Sequence, residues 1–206
     1  MYHHYPILPH SDRLSSGANL RGMSLGAGLF LVWGGFRMSW EVFSVVFLVL
    51  FAFGAGAAGP LTEGSPFPQW ELVDQQGQKV SSKDLAGKTY LLWFYPTAMT
   101  SGCTREGCEL RDHYAEFRKL GVEILGVSFD TPADNARFAA EQRFPFRLLS
   151  DTDRRLAVQV GAADSPEASY PKRVSFLVGG DGRVLKVYPK VDPATHAQEV
   201  LKDLQS

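Results

Sequence analysis

Cysteine is scarce in this chain, which has only Cys103 and Cys108 among its 206 residues. Two cysteines five positions apart cannot staple a small, disulfide-dependent scaffold. Runs of like charge are missing as well, since Lys and Arg total 21 against 22 for Asp and Glu. We therefore expect no nucleic-acid partner. With 45% hydrophobic residues and no internal repeat, the composition is typical of a folded globular domain. The cysteine pair is expected to have a chemical role.

Motifs for metals and cofactors are also missing. Cys103 and Cys108 would supply only two zinc ligands, and no second pair of Cys or His completes a tetrahedral site. Residues 54–59 fit the G-x-G-x-x-G spacing of dinucleotide binding. That motif requires a following helix, and Pro60 with a polar stretch stands there instead. We expect no metal and no cofactor.

The first 59 residues differ in composition from the rest of the chain. Residues 42–53 are apolar except for Ser44, and small residues extend the run to residue 59. A run of this length is at the short end of a bilayer span, so it indicates either a signal peptide or a short membrane anchor. Ala55-Gly56-Ala57 supplies the small-x-small pattern of a cleavage site. We take residues 1–59 as a leader and residues 60–206 as the folded domain.

Basic residues predict the orientation of this leader. Arg13, Arg21 and Arg37 precede the apolar run, and no Lys or Arg follows it until Lys79. Because basic residues favour the cytoplasmic side, the domain is expected outside the cytoplasm, in the periplasm if the source is bacterial. Internal methionines at positions 23 and 38 are alternative starts, so the true N-terminus can lie later than residue 1. A cytoplasmic domain is the alternative if the leader is not translated.

Residues 60–206 alternate short apolar runs with amphipathic segments, which predicts an α/β domain. We expect a central mixed sheet covered by helices. Strands are predicted at residues 90–95, 122–129, 147–149, 174–178 and 184–188, and the glycines within residues 179–182 predict a hairpin between the last two. Helices are predicted at residues 105–119, at 132–142 with Thr131 as the N-cap and Pro132 in the first position, around 156–160 with Asp151 as a cap, and from 192 onward.

Cys103 lies between the first predicted strand and the helix that follows it. Unsatisfied N–H groups and the helix dipole favour a thiolate at a helix N-terminus, which makes Cys103 a candidate nucleophile. On an intact helix Cys108 would lie about 7.5 Å further along and about 140° around the axis. A disulfide needs Cα atoms within about 7 Å and converging Cβ atoms. We predict that the first helical turn unwinds when the two cysteines bond.

The segment around Cys103 resembles the active site of the peroxiredoxins. Their pattern P-x-x-x-T-x-x-C is matched by Pro96, Thr100 and Cys103. The bacterioferritin-comigratory, or peroxiredoxin Q, branch is similar over residues 100–108, which fit T-x-G-C-T-x-E-x-C, and at residues 173–177, which fit R-x-[ST]-F-L. The resemblance covers nearly all of residues 60–206 and implies a thioredoxin-like fold.

The resemblance also implies a reaction and site residues. Cys103 would be the peroxidatic thiolate that reduces hydrogen peroxide and organic hydroperoxides, and Cys108 would resolve it through an intramolecular disulfide. Thr100 and Arg173 would hold the peroxide oxygens and stabilise the thiolate, while Pro96 shields the site from water. An exposed cysteine of low pKa beside a resolving cysteine is the arrangement expected for reversible thiol oxidation. The expected reductant is thioredoxin or a thioredoxin-like protein, and the expected state is a monomer.

Two other functions remain open at this point. One is an exported or membrane-tethered thiol-disulfide oxidoreductase, although the sequence lacks the C-x-x-C motif of such proteins. The other is an interaction domain without enzymatic activity. Such a domain would tolerate the loss of Thr100 or Arg173, and both residues are present.

Overall fold

The computed structural model of this protein describes residues 61–206. Within that range, the strands are β1 (Glu71–Asp74), β2 (Lys79–Ser81), β3 (Thr89–Phe94), β4 (Val122–Ser128), β5 (Arg147–Ser150), β6 (Val174–Val178) and β7 (Val184–Tyr188). The α-helices are α1 (Ser101–Asp112), α2 (Tyr114–Lys119), α3 (Pro132–Gln142), α4 (Arg155–Gln159) and α5 (His196–Leu204). A short 3-10 helix, Ser82–Leu85, follows β2.

The seven strands form one mixed sheet in the order β2-β1-β5-β4-β3-β6-β7. Strands β3, β4 and β5 are parallel, whereas β1, β2, β6 and β7 join the sheet through antiparallel pairings. Parallel neighbours require crossover connections, and α1 with α2 and then α3 supply them. The α/β sheet expected from the sequence is confirmed.

Strand β3 lies in the interior of the sheet, between β4 and β6, and is covered on both faces. Its side chains alternate between two hydrophobic clusters, with Leu92 and Phe94 in one and Leu91 and Trp93 in the other. All four side chains are fully buried. A continuous bulky run is what a strand covered on both faces requires, and this is why the run at residues 90–95 predicted the strand correctly.

Local signals placed several other elements correctly. Thr131 begins α3, where its hydroxyl accepts the N–H of Asp134, and Pro132 is the first helical residue. Asp151 caps α4 from a distance, because its carboxylate accepts the N–H groups of Leu156 and Ala157. The β6–β7 hairpin was also predicted. Its turn includes Gly182, whose φ of 78° favours glycine.

Three details differ from the prediction. The antiparallel pair β1–β2 was missed, because strands of four and three residues with exposed polar positions have too few apolar residues to show a pattern. The single helix predicted at 105–119 starts earlier, at Ser101, and divides at His113, whose φ of −97° and ψ of 5° leave helical geometry. Residues 192–195 form a turn, in which Asp192 accepts the N–H of Ala194, before α5 begins.

The predicted leader, residues 1–59, and its boundary with the domain lie outside the described residues. They stay predictions. Within residues 61–206, no helix combines the length and apolarity needed to cross a membrane.

Candidate active site

The candidate site lies at the carboxyl end of β3, where the chain turns into α1. The N–H of Tyr95 still bonds the carbonyl of Val127, at 3.0 Å, so the chain leaves the sheet only after this residue. The following loop is tied down by Asp130, whose carboxylate accepts the N–H of Ala98 at 2.9 Å. Met99 then takes a φ of 65°, a conformation uncommon for a residue with a side chain. The loop is thereby held in the shape that starts α1.

Cys103 is in the first turn of α1 and its side chain is fully buried. Its Sγ lies 3.3 Å from Nη2 of Arg173. Arg173 immediately precedes β6, and the β3–β6 pairing of Phe94 with Val174 brings it to the same end of the sheet. A guanidinium donor beside a sulfur at a helix N-terminus favours the thiolate, because both the charge and the helix dipole are positive there.

Gly102 lets the guanidinium approach this closely. A Cβ at that position would stand 3.1 Å from Nη2 of Arg173, closer than ordinary van der Waals contact. The absence of a side chain one residue before Cys103 therefore leaves room for the cation.

Glu106 is the second side chain that bonds Arg173. It follows Cys103 by three residues, on the same face of α1, and its Oε2 accepts a hydrogen bond from Nη1 of Arg173. The side chain has no exposed surface, and its Oε1 has no hydrogen-bond partner among the described residues. Burial raises the pKa of Glu106 to about 7, although the neighbouring Arg173 acts in the opposite direction.

Two further buried groups border this cluster. His196, at the start of α5, contacts the Ser175 hydroxyl at 2.9 Å through Nε2. Burial, assisted by the charge of Arg173, lowers the pKa of His196 to about 4, so the ring is neutral at physiological pH. Tyr95 donates its hydroxyl to Oδ1 of Asn135 at 2.7 Å, and burial raises the pKa of its phenol. Neither group adds charge at neutral pH.

Cys108 occupies a different setting on the same helix. It is partly exposed, and its Sγ lies 3.6 Å from Oε1 of Gln142, at the end of α3. Neither cysteine is in a disulfide. Because α1 is continuous from Ser101 to Asp112, the two sulfurs contact different partners on different sides of the helix.

The other predicted site residues are near Cys103 in the chain, but their proposed roles are not visible as contacts. The hydroxyl of Thr100 donates to the carbonyl of Thr97 at 2.9 Å, and Pro96 is half-buried directly after Tyr95. Glu106 is the glutamate of the T-x-G-C-T-x-E-x-C motif, and the family resemblance assigned it no role. Its spacing of three from Cys103 was the available signal, because residues three apart share a helix face. Within residues 61–206, no group of three or more His, Cys, Asp or Glu side chains is arranged to hold a metal ion.

Comparison with known proteins decides the family. The model of the AhpC/TSA family matches residues 64–187. The chain belongs to this family. Peroxiredoxin Bcp of Escherichia coli K12 is 38% identical over 151 residues, covering 71% of this chain and 97% of the relative. The chloroplastic peroxiredoxin Q of Gentiana triflora is 36% identical over 147 residues, covering 71% and 68%.

Solved structures of this peroxiredoxin family agree with the fold. Peroxidoxin BcpB of Mycobacterium tuberculosis superposes with a TM-score of 0.66 at 32% identity, over 70% of this chain and 97% of that one. The bacterioferritin comigratory protein of Xanthomonas campestris gives 0.63 at 31% identity, over 70% and 96%. The chain is therefore a peroxiredoxin of the Bcp and peroxiredoxin Q branch, with a thioredoxin-like fold and thiol peroxidase activity.

Proposed function

We propose that this peroxiredoxin reduces hydrogen peroxide and organic hydroperoxides with Cys103 as the peroxidatic thiolate. The observation that carries the proposal is the contact of 3.3 Å between Cys103 Sγ and Arg173, at the N-terminus of α1. The thiolate attacks one peroxide oxygen, the O–O bond breaks, and Cys103 becomes a sulfenic acid. The leaving alkoxide or hydroxide takes up a proton. The Xanthomonas campestris relative, whose structure is described in terms of alkyl peroxide reduction, supports organic hydroperoxides as substrates.

Cys108 is the proposed resolving residue. Its sulfur attacks the sulfur of the Cys103 sulfenic acid, and the S–O bond breaks. The hydroxyl group leaves as water with the proton of the Cys108 thiol, and the two sulfurs are joined as a disulfide. With α1 intact, the two positions are separated by a rise of about 7.5 Å and a rotation of about 140°. This separation exceeds disulfide geometry, so the first turn of α1 has to unwind before the bond forms.

Stopped-flow oxidation of the reduced protein tests both assignments. Wild type, Cys103→Ser and Cys108→Ser are mixed with hydrogen peroxide and, separately, with an organic hydroperoxide. Cys103→Ser should lose peroxide consumption, whereas Cys108→Ser should keep the first oxidation step and accumulate a sulfenic acid that a dimedone-type reagent labels. Peroxide consumption by Cys103→Ser at the wild-type rate would refute the central assignment. A missing adduct in Cys108→Ser would remove Cys108 from its role.

Thr100 and Pro96 complete the proposed peroxide pocket. The Thr100 hydroxyl would turn from the Thr97 carbonyl toward the bound peroxide, and Pro96 would limit the access of water. Thr100→Val keeps the size of the side chain and removes the hydroxyl. It should lower the second-order rate with peroxide without changing the rate of Cys103 alkylation at saturating pH. Equal losses in both rates would instead indicate a disturbed loop.

The proposed reductant is thioredoxin or a thioredoxin-like protein, which would exchange with the Cys103–Cys108 disulfide. Turnover coupled to thioredoxin, thioredoxin reductase and NADPH should support peroxide reduction by wild type and not by Cys108→Ser. We also propose that the enzyme is a monomer, which analytical ultracentrifugation of the reduced and oxidised forms can test. No feature of residues 61–206 favours a thiol-disulfide oxidoreductase over the peroxidase.

The proposed location, outside the cytoplasm and held by or released from the leader, depends on the sequence alone. Residues 42–59 and the basic residues before them support it. Sequencing the N-terminus of the mature protein would identify cleavage near Ala57, and cell fractionation would locate the domain. A full-length protein in the cytoplasmic fraction would contradict the proposal.

A further inference from the structure

The charges around Cys103 do not balance if both of its acidic neighbours ionise. Arg173 supplies one positive charge, and it bonds both Cys103 Sγ and the carboxylate of Glu106. Cys103 and Glu106 have no exposed surface, and the Arg173 side chain is 21% exposed. A thiolate and a carboxylate together would leave a buried, uncompensated negative charge, which is strongly unfavourable at a water-poor site.

Other side chains around the cluster do not supply the missing positive charge, and the N-terminus of α1 supplies only part of it. His196 from α5 is neutral; its Nε2 contacts Ser175, and its Nδ1 lies 3.9 Å from Glu199, beyond hydrogen-bonding distance. Tyr95 at the end of β3 keeps its proton, and Asp130 is bound to the main chain of Ala98. Glu106 Oε1 has no partner among the described residues, and a buried oxygen left without a hydrogen bond costs more free energy in a charged carboxylate than in a neutral carboxyl group.

We propose that Cys103 and Glu106 share a single proton across Arg173, so that the peroxidatic thiolate forms as Glu106 becomes protonated. The step balances without a further reactant, since the proton lost by the Cys103 thiol is the one held by the Glu106 carboxyl. Two groups coupled in this way titrate as a pair, and ionisation of either one disfavours ionisation of the other. A pKa of Glu106 raised to about 7 is consistent with this arrangement.

The inference rests on the proposed role of Cys103 and adds a role for Glu106. The effect that it predicts for removal of Glu106 on the Cys103 thiolate is opposite to the effect that a purely orienting role predicts. If Glu106 only held Arg173 in place, its removal would weaken the thiolate. If Glu106 competes with Cys103 for one positive charge, its neutral substitute frees that charge and strengthens the thiolate.

Alkylation of Cys103 across pH separates the two cases. The Cys108→Ser background is used so that only Cys103 reacts with iodoacetamide, and Glu106→Gln keeps an oxygen that can accept from Arg173. The midpoint of alkylation should move down by about one pH unit, which increases alkylation about tenfold below the midpoint. Glu116→Gln, an exposed glutamate on α2, removes the same charge and should leave the midpoint unchanged. An unchanged or higher midpoint in Glu106→Gln overturns the inference.

Titration of Glu106 itself tests the same coupling and does not depend on the stability of the Glu106→Gln variant. The side-chain carboxyl of Glu106 is followed by ¹³C NMR in the Cys108→Ser protein with and without Cys103→Ser. Because coupling is reciprocal, Glu106 should ionise at lower pH once Cys103 cannot become a thiolate. Identical titrations would overturn the proposal. If Cys103→Ser still reduces peroxide in the stopped-flow experiment, the proposed function itself fails. That outcome is visible without either titration.

Discussion

The two cysteines share one helix and have opposite surroundings. Cys103 is fully buried and lies against Arg173, with Glu106 behind the guanidinium. Cys108, five residues later, is partly exposed; its Sγ lies 3.6 Å from an amide oxygen of Gln142, and its charged neighbour is Arg111. Burial and the Arg173–Glu106 pair thus distinguish the surroundings of Cys103 from those of Cys108, although both side chains have the same chemistry. If the two cysteines bond as proposed, the helix that separates them has to open during each catalytic cycle.

The largest expected effect is the loss of hydrogen-exchange protection in α1 on oxidation. Bonding Cys103 to Cys108 requires the first turn to unwind, so amides of residues 103–110 should exchange on the order of a thousandfold faster in the disulfide form. Amide exchange followed by mass spectrometry in both redox states measures this. Strand β4 serves as the internal control, since its exchange should not change. Equal protection of α1 in both states would show that the helix stays intact.

Removal of the Arg173 charge should have the next largest effect. It should change the reactions of Cys103 and not those of Cys108. Arg173→Ala should lower the rate of the first oxidation step by about a hundredfold, because a preorganised donor to the reacting sulfur is lost. It should also move Cys103 alkylation to higher pH. Arg173→Lys should recover part of the rate by restoring the charge. A pH profile that matches wild type would contradict the stabilising role of Arg173.

A smaller effect is expected where α1 packs near Cys108. A Cβ on Gly107 would come within 2.4 Å of Cζ of Phe144. Gly107→Ala should therefore destabilise closed α1 by about 1–3 kcal/mol, the usual range for overpacking. Opening becomes easier, so disulfide formation should accelerate and overoxidation to sulfinic acid at high peroxide should fall.

The matched control for Gly107→Ala is the double variant with Phe144→Leu, which makes room for the added methyl group. A double-mutant cycle on unfolding free energy should show coupling between the two positions. If Gly107→Ala forms the disulfide no faster than wild type, the packing at Phe144 does not hold the helix closed.

The smallest effect on peroxide chemistry is expected at His196. Its pKa, lowered to about 4 by burial and by Arg173, means that the folded protein resists protonation while the unfolded chain accepts it near pH 6.5. The stability that the neutral ring contributes is complete above pH 6.5 and is lost as pH falls toward 4. In His196→Gln, the free energy of unfolding should depend less on pH over this range. Peroxide rates at pH 7 should stay within about twofold of wild type. An acid limb as steep as that of wild type would exclude His196 as its source.

Prediction from the sequence succeeded where local signals are strong. The continuous apolar run of β3, the Thr131-Pro132 start of α3 and the glycine turn between β6 and β7 each depend on neighbours in the chain. The short strands β1 and β2 were missed because their identity depends on pairing with each other and with β5. The break at His113 was missed for a similar reason, since no proline or glycine marks it.

The sequence by itself indicated the family, the cysteine pair and its five-residue spacing, and from that spacing came the prediction that α1 opens when the two cysteines bond. The family resemblance implied that Arg173, seventy residues away, lies beside Cys103, but it did not show that the same guanidinium would also bond Glu106. That meeting depends on the antiparallel register of β6 on β3, which no local pattern specifies. Glutamate is usually found at the protein surface, and burial raises the pKa of Glu106 to about 7. Solvent exclusion is a property of the assembled fold, and so the raised pKa of Glu106 comes from the tertiary structure and not from the local sequence.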